Sequence, residues 1–283
     1  MNILFYYYHF LIRVFQKCLG LLQMYIIKRS FDNPLVYYDI GALGGPLGRW
    51  GILAKRGLIS YVGFEPNKSE CARLIEAFPY AQYIDTALGD KESTETIYET
   101  RHPGCSSLLK PIPERFSKIP IGHWFDVVNT DIVNVKPLKQ LIQAAQVSKP
   151  DFISMDVQGY EYKVLLGLDQ YISEVIGIEL EAHFKPLYEG EEPFHIIYEY
   201  LNSYGFELVE IEPQGPYEGY ILEANFFFAK KKELLNPSGL SKLKVWEKAN
   251  AIPNYYHRTK NPKIFNEHIM KFYKGHDRFK KAT

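Results

Sequence analysis

Residues 35–50, LVYYDIGALGGPLGRW, read as a strand that runs into a glycine-rich turn and then a helix, a succession that few folds accommodate. Leu35, Val36, Tyr37, Tyr38 and Ile40 make the first part apolar and β-favouring, and it ends abruptly at Gly41, Gly44 and Gly45. Those glycines let the backbone take positive φ and approach a ligand with no Cβ in the way. Pro46 suits the first turn of a helix, where its missing N–H costs nothing, and residues 47–56 can continue that helix.

Two cofactor classes use such a turn. A dinucleotide is held through its pyrophosphate, usually by G-x-G-x-x-G and a helix N-terminus. Here the spacing is G-x-x-G-G, and Asp39 stands two residues before Gly41. A carboxylate at the strand end repels a pyrophosphate but attracts an amine and a sulfonium strongly when partly desolvated. S-adenosylmethionine carries both. A glycine turn also serves simply to reverse a chain, so the motif counts only in company with other signals.

At 283 residues the chain suits one large domain with appendages or two small ones. A hydrophobic fraction of 46% with 15% aromatics excludes a disordered chain. The formal net charge of zero hides an asymmetry, because residues 230–283 hold 14 Lys and Arg against 4 Asp and Glu, a net +10 that the rest balances with −10. Cys18, Cys71 and Cys105 are far apart and form no C-x-x-C, which points to a reducing compartment and away from a cysteine metal site. No uncharged apolar run reaches the about 18 residues of a spanning helix, so a cytoplasmic protein is expected.

Residues 1–33 form a segment of their own. Leu4, Tyr8, Leu11, Phe15, Cys18, Leu22 and Tyr25 fall at alternating spacings of four and three, one stripe of an amphipathic helix. The stripe either packs on protein, the main domain or a second copy in a homodimer, or lies in a membrane interface with Arg13 and Lys17 toward headgroups. At the other end, residues 231–283 form a basic, partly helical extension carrying Trp246, Tyr255, Tyr256, Phe265 and Phe272. Its charge suits a phosphorylated carrier, a nucleotide sugar or an anionic membrane, and it is equally read as a solvated face. Together the two ends set up an expectation of peripheral contact with the inner face of a membrane.

Between them, residues 58–64 (LISYVGF) read as a second buried strand ending at Glu65, which lies 24 residues after Gly41, about where an acid reaches the ribose hydroxyls of an adenosine. Residues 80–88 are a third strand whose corner at Gly89 and Asp90 would flank the adenine. Residues 92–100 make an extra strand and 125–135 an edge strand. The long Pro-rich stretch between them, 101–122, is expected to act as a lid over the cofactor. Residues 151–157 (DFISMDV) place Asp156 at another strand end, and 175–180 (VIGIEL) lead to Glu179, Glu181 and His183 at a strand mouth. Strands alternating with helices predict a largely parallel sheet covered on both faces, and two final strands joined without a helix predict an antiparallel edge.

With these stretches in order, the chain resembles the FkbM-type methyltransferases, class I enzymes that use S-adenosylmethionine and mostly methylate hydroxyl oxygens. The resemblance runs from about 36 to 230. It rests on Asp39-Ile40-Gly41-Ala42, Val62-Gly63-Phe64-Glu65-Pro66-Asn67, Ala87-Leu88-Gly89-Asp90, Ser106-Ser107-Leu108, Met155-Asp156-Val157-Gln158-Gly159-Tyr160-Glu161, Leu187-Tyr188-Glu189-Gly190 and Tyr204-Gly205-Phe206. It implies an α/β fold, a Rossmann-like, mostly parallel seven-stranded sheet with helices on both faces and an antiparallel edge strand, occupying 34–230 between helical N- and C-terminal appendages. Carried over by position, Asp39, Gly41, Ala42 and Gly44 would line the methionine end of S-adenosylmethionine. Glu65, Pro66 and Asn67 would hold the ribose, Ala87, Leu88 and Asp90 the adenine, and Ser106 would approach from the lid. The family often has a single glycine after Gly-Ala, whereas Leu43, Gly44, Gly45 and Pro46 stand here, a reshaped turn.

Methyl transfer from a sulfonium asks the protein to position an oxygen behind the methyl and to remove its proton. His183, Asp156 and Glu181 are the candidate catalytic groups, with His183 favoured as the base because it titrates in the useful range and Asp156 also able to orient the cofactor's amine. Asp156, Glu179 and Glu181 are oxygen ligands of the kind Mg²⁺ takes, but acids are common at strand ends and no metal is expected. The resemblance suggests a sugar hydroxyl of a surface glycan or a secondary metabolite as acceptor, and no nucleic acid. Trp124, Phe184, Tyr188 and Tyr217 are candidates to stack on a sugar ring, although aromatics are abundant in this chain and most are expected in the core. Two rivals stay open, an NAD-dependent Rossmann enzyme and a non-catalytic scaffold of this fold in a membrane-associated glycan-assembly complex.

Overall fold

A computed structural model describes residues 34–46, 48–117, 119–214 and 222–251. The expected N-terminal helix, Tyr217 and the tail beyond 251 lie outside the described residues. Among the described residues, no helix is long and apolar enough to cross a membrane.

The main sheet has seven strands: β1 (Leu35–Ile40), β2 (Ile59–Phe64), β3 (Gln82–Ile84), β7 (Phe152–Met155), β8 (Gly177–His183), β9 (Phe206–Gln214) and β10 (Glu223–Lys230). Their order across the sheet is β3-β2-β1-β7-β8-β10-β9. β1, β2, β3, β7 and β8 run parallel, and β10 is antiparallel to both β8 and β9, so the antiparallel pair forms the sheet's edge. The chain winds outward from β1 in one direction and then from β7 in the other, which opens a crevice between their C-terminal ends. Three further strands, β4 (Ala87–Leu88), β5 (Ser93–Thr100) and β6 (Val127–Lys136), form a separate small sheet in the order β4-β6-β5. The stretch 80–88 is therefore two strands rather than one. Thr86 turns the chain between them, its N–H donating to Ile84 O and its hydroxyl to Asn134 O on β6.

Both faces of the main sheet are covered, as the near-continuous apolar runs of its parallel strands require. On one face, α4 (Leu138–Gln143), α5 (Glu161–Leu168) and α6 (Phe194–Ser203) press Leu138, Leu141, Val164, Leu165, Leu168, Ile197 and Leu201 onto Tyr38, Ile153, Ile178 and Phe226. On the other, α1 (Gly48–Lys55), α2 (Lys68–Ala77) and α7 (Pro237–Ala251) bring Trp50, Leu53, Leu74, Leu243 and Trp246 onto Tyr37, Phe152 and Phe227. The helix α7 is thus part of the second core. Its Trp246 ring stacks on Trp50 and Phe152, and Lys242 pairs with Asp151, whose other oxygen accepts from Val36 N–H.

The long stretch expected as a lid is tethered at several points. It holds α3 (Pro113–Phe116) and a 3₁₀ turn (Pro103–Cys105), a second 3₁₀ turn (Gly122–Phe125) ends it, and Cys105, Phe116 and Phe125 form a small core with Leu187 and Tyr188. Tyr188 is fully buried, with its hydroxyl donating to Cys105 O or Gln158 Oε1, so it is a packing residue here and not a platform for a sugar. Phe184 remains 48% exposed, and Trp124 stacks on His102.

Candidate functional site

The crevice between β1 and β7 is closed at its base by backbone. Asp156 N–H donates to Ile40 O, and Gly41 and Ala42 both donate to Phe64 O. Gly41 has φ +83, and a Cβ there would lie 2.1 Å from Asp156 O, so this turn admits only glycine. Asp39, in the last turn of β1, accepts from the Tyr61 hydroxyl. Gly44 N–H is committed to Glu70 Oε1.

The register of the sheet explains what gathers here. Asp39, Ser154 and Glu179 lie side by side on β1, β7 and β8. Side chains alternate along a strand, so Glu181 and His183 share the face of Glu179, and β10 sets Glu223 opposite His183. Asp156 is open to solvent, and Asp39, Glu179, Glu181 and Glu223 are partly so, although protein surrounds them closely. They form the acidic floor of a cleft.

The turn after β7 organises this floor. Gln158 takes φ +54, a left-handed conformation that a non-glycine residue rarely adopts, and Gly159 follows at φ +95. Buried Glu161, at the start of α5, holds the turn by accepting from Val157 and Gly159 N–H. The strained Gln158 is thereby aimed so that its amide donates to both Asp156 Oδ1 and Glu181 Oε1, at 2.8 Å each, while its Oε1 faces the Tyr188 hydroxyl. Gln214 binds the other oxygen of Glu181. His183 is 2% exposed, with Nδ1 2.7 Å from Glu191.

The expected ribose acid sits at the end of β2. Glu65 is buried, its N–H on Ile84 O and its Oε1 accepting from Asn67 N–H. Asn67 caps α2 by accepting from Glu70 N–H and donates to Glu99, so its side chain is already occupied, and Pro66 is half-buried beside it. Ala87 and Leu88 are buried in β4, and Asp90 pairs with Lys163 at 3.6 Å. Ser106 Oγ accepts from Thr100 N–H, which ties the loop to β5. The structure thus brings Asp39, Gly41, Asp156, Glu181 and His183 together. Sequence reasoning gave no role to Gln158 or Glu161, although both stand in the D-V-Q-G-Y-E stretch, and no local signal marks Glu191 or Glu223.

The methyltransferase FkbM domain matches residues 50–208, more than half of the chain. The chain belongs to the FkbM methyltransferase family. Among solved structures it is similar to the magnesium protoporphyrin IX methyltransferase ChlM of Synechocystis PCC 6803 with bound SAM, at 12% identity and a TM-score of 0.37 over 78% of this chain and 82% of that one. A TehB-like SAM-dependent methyltransferase of Corynebacterium glutamicum aligns at 13% identity and 0.34 over 74% and 87%. No curated protein matches significantly.

As an FkbM methyltransferase the chain uses S-adenosylmethionine, and the donor set fits that cofactor. Burial raises Asp39 to about 7, despite the Tyr61 hydrogen bond, and the charges of Glu179 and Asp156 push the same way. Burial likewise raises Glu65 to about 7, against the Asn67 N–H and with the charges of Glu70, Asp39 and Asp85. Positive charge arriving beside Asp39 relieves this repulsion, and ribose hydroxyls would add donors to a buried carboxylate that otherwise accepts from Asn67 N–H.

A pH dependence follows. Both carboxyls have folded pKa values above their unfolded ones, so the folded state resists their ionisation. Their effect is to lower stability as pH rises from about 4 to 7, after which it levels off. The cofactor-free protein should therefore melt at a higher temperature at pH 5.5 than at pH 8, and Asp39→Asn with Glu65→Gln should flatten that slope in a thermal-shift series.

Proposed function

We propose that this methyltransferase acts on a hydroxyl oxygen, most consistently that of a sugar in a surface glycan or secondary metabolite. The observation that carries this reading is Asp156. It stands open at the cleft floor beside Gly41, one oxygen held by Gln158, where a carboxylate can accept the proton of a hydroxyl brought to the cofactor. When bound, S-adenosylmethionine supplies a methyl group on a sulfonium, poised for in-line transfer to an oxygen. Asp39 and Glu65 hold its charged and ribose ends, and the Gln158 amide keeps Asp156 and Glu181 from drifting apart. His183 is buried against Glu191 on the same face as Glu181, and in this reading Asp156 rather than His183 accepts the proton. Exposed Phe184 and the His102–Trp124 stack offer apolar faces for a sugar ring. Peripheral attachment at the inner membrane face is part of the same reading, supported by the aromatic stripe of 1–33 and the +10 charge of 230–283.

The test is a methyl-transfer assay against a panel of hydroxylated sugars. Asp156→Asn should lower kcat by roughly 10²–10⁴-fold while S-adenosylhomocysteine affinity stays within a few fold. An equal loss of affinity would assign Asp156 to the cofactor amine instead. A folded protein that binds the cofactor yet methylates no hydroxyl would sink the reading.

A further inference from the structure

Three donor groups converge at the far end of the acidic floor with nothing positive between them. Glu181 and His183 share one face of β8, and the β8–β10 register places Glu223 opposite His183. One donor atom from each of the three lies within 4.8 Å of the other two. An acidic cluster alone would carry little, but the histidine adds an independent observation. Its Nε2 is buried and has no hydrogen-bond partner, although it points at Glu223 Oε2 from 3.6 Å.

The partners of the ring decide what Nε2 is. Glu191 Oε2 accepts from the N–H groups of Leu187 and Tyr188, and its Oε1 faces His183 Nδ1 at 2.7 Å. A carboxylate fixed in that way is an acceptor, so in the neutral ring the proton sits on Nδ1 and the lone pair on Nε2. Carboxylate, histidine, then open lone pair is the arrangement that orients metal-ligating histidines. Glu181 is likewise oriented from behind by the amides of Gln158 and Gln214, each of its oxygens keeping a lone pair free. Among the described residues, no Lys or Arg pairs with any of the three.

We infer that Glu181, His183 and Glu223 form a binding site for one divalent transition-metal ion. Two carboxylates and an imidazole suit the Mn²⁺ to Zn²⁺ range better than Mg²⁺, which prefers oxygen alone. Ligands at ~2.1 Å from one ion stand roughly 3–4 Å apart, so the site closes by up to about 1–2 Å on binding. Three protein ligands leave coordination positions free for other groups, and Gln158 links Glu181 directly to Asp156. Resting on the hydroxyl-methylation reading, the site selects acceptors with two adjacent oxygens, a vicinal diol or an α-hydroxy acid, of which one hydroxyl is held near Asp156. Oxygen bound to such an ion loses its proton more readily.

The test needs neither acceptor nor turnover. Full-length protein stripped with EDTA is titrated with Mn²⁺, followed by loss of the free-ion EPR signal, and with Co²⁺, followed by its visible absorption. One equivalent should bind, and Glu223→Gln and Glu181→Gln should each weaken binding by tenfold or more. Glu191→Gln, which keeps all three ligands, should weaken it by about 10–100-fold. S-adenosylhomocysteine binding reports that each variant is folded. Wild-type protein that binds S-adenosylhomocysteine but takes up neither ion at millimolar concentration overturns the site, as does uptake that Glu223→Gln leaves unchanged. Metal uptake without methylation of any hydroxyl would keep the site and remove the hydroxyl-methylation reading.

Discussion

Glu65→Ala is expected to weaken S-adenosylhomocysteine binding by 100- to 1,000-fold in a calorimetric titration. Each hydrogen bond to a charged group contributes about 1.5–3 kcal/mol, and a ribose offers two hydroxyls; with each near about 1.5–2 kcal/mol, the loss is on the order of 3–4 kcal/mol. The substitution also strands Asn67 N–H, which donates to Glu65 Oε1. Folding should not suffer in proportion. Burial raises Glu65 to about 7, so its charge opposes folding near neutral pH, and removing it offsets the lost hydrogen bond. Affinity should therefore collapse while the melting temperature of the cofactor-free protein moves by only a few degrees. Glu65→Gln, which keeps the shape but donates where it should accept, should fall between. A change in affinity of less than about threefold would remove Glu65 from the ribose.

Trp246→Ala should be the most destabilising single truncation in α7, at about 3–5 kcal/mol, with a melting temperature lower by on the order of 10 °C. The indole is 1% exposed, lies 5.4 Å from the Trp50 ring and 5.1 Å from Phe152, and both pairs are stacked. It also rests directly on Gly177 of β8, where a Cβ would stand 2.6 Å from the indole. Truncation removes the ring that fills the space between Trp50, Phe152 and Gly177, leaving a cavity over the sheet. Urea unfolding of the two proteins measures it, and a difference below about 1 kcal/mol would mean that α7 merely decorates the domain. Because α7 lies outside residues 50–208, this core element is not one that the family match covers.

Much of the glycine-turn half of the candidate site was legible locally. Asp39, Gly41 and Glu65 each sit at the junction of an apolar run and a turn, and a strand followed by glycine is visible without knowing what the strand pairs with. The alternation of strands and helices was legible for the same reason, since periodicity and punctuation are properties of neighbouring residues. Residues 80–88 were misread because a continuous β-favouring run does not reveal that Thr86 diverts the chain into a second sheet. Tyr188 was one of several candidates for a sugar platform, and only the fold reveals the loop that buries it.

The other half of the site is a matter of register. Glu181, Glu191, His183 and Glu223 come from one strand, the loop after it and a second strand reached only through α6 and β9. Their convergence depends on which residue of β10 faces which residue of β8, and a shift of one position would turn Glu223 to the opposite face. The amino-acid sequence by itself determined the element order, the glycine turn and the acids beside it, because these follow from contacts between near neighbours. Only the tertiary structure decided that His183 is buried with an unpartnered nitrogen, that Gln158 ties two acids together, and that a C-terminal tryptophan completes the core. Those facts arise from packing between segments far apart in the chain, where no local pattern carries the information.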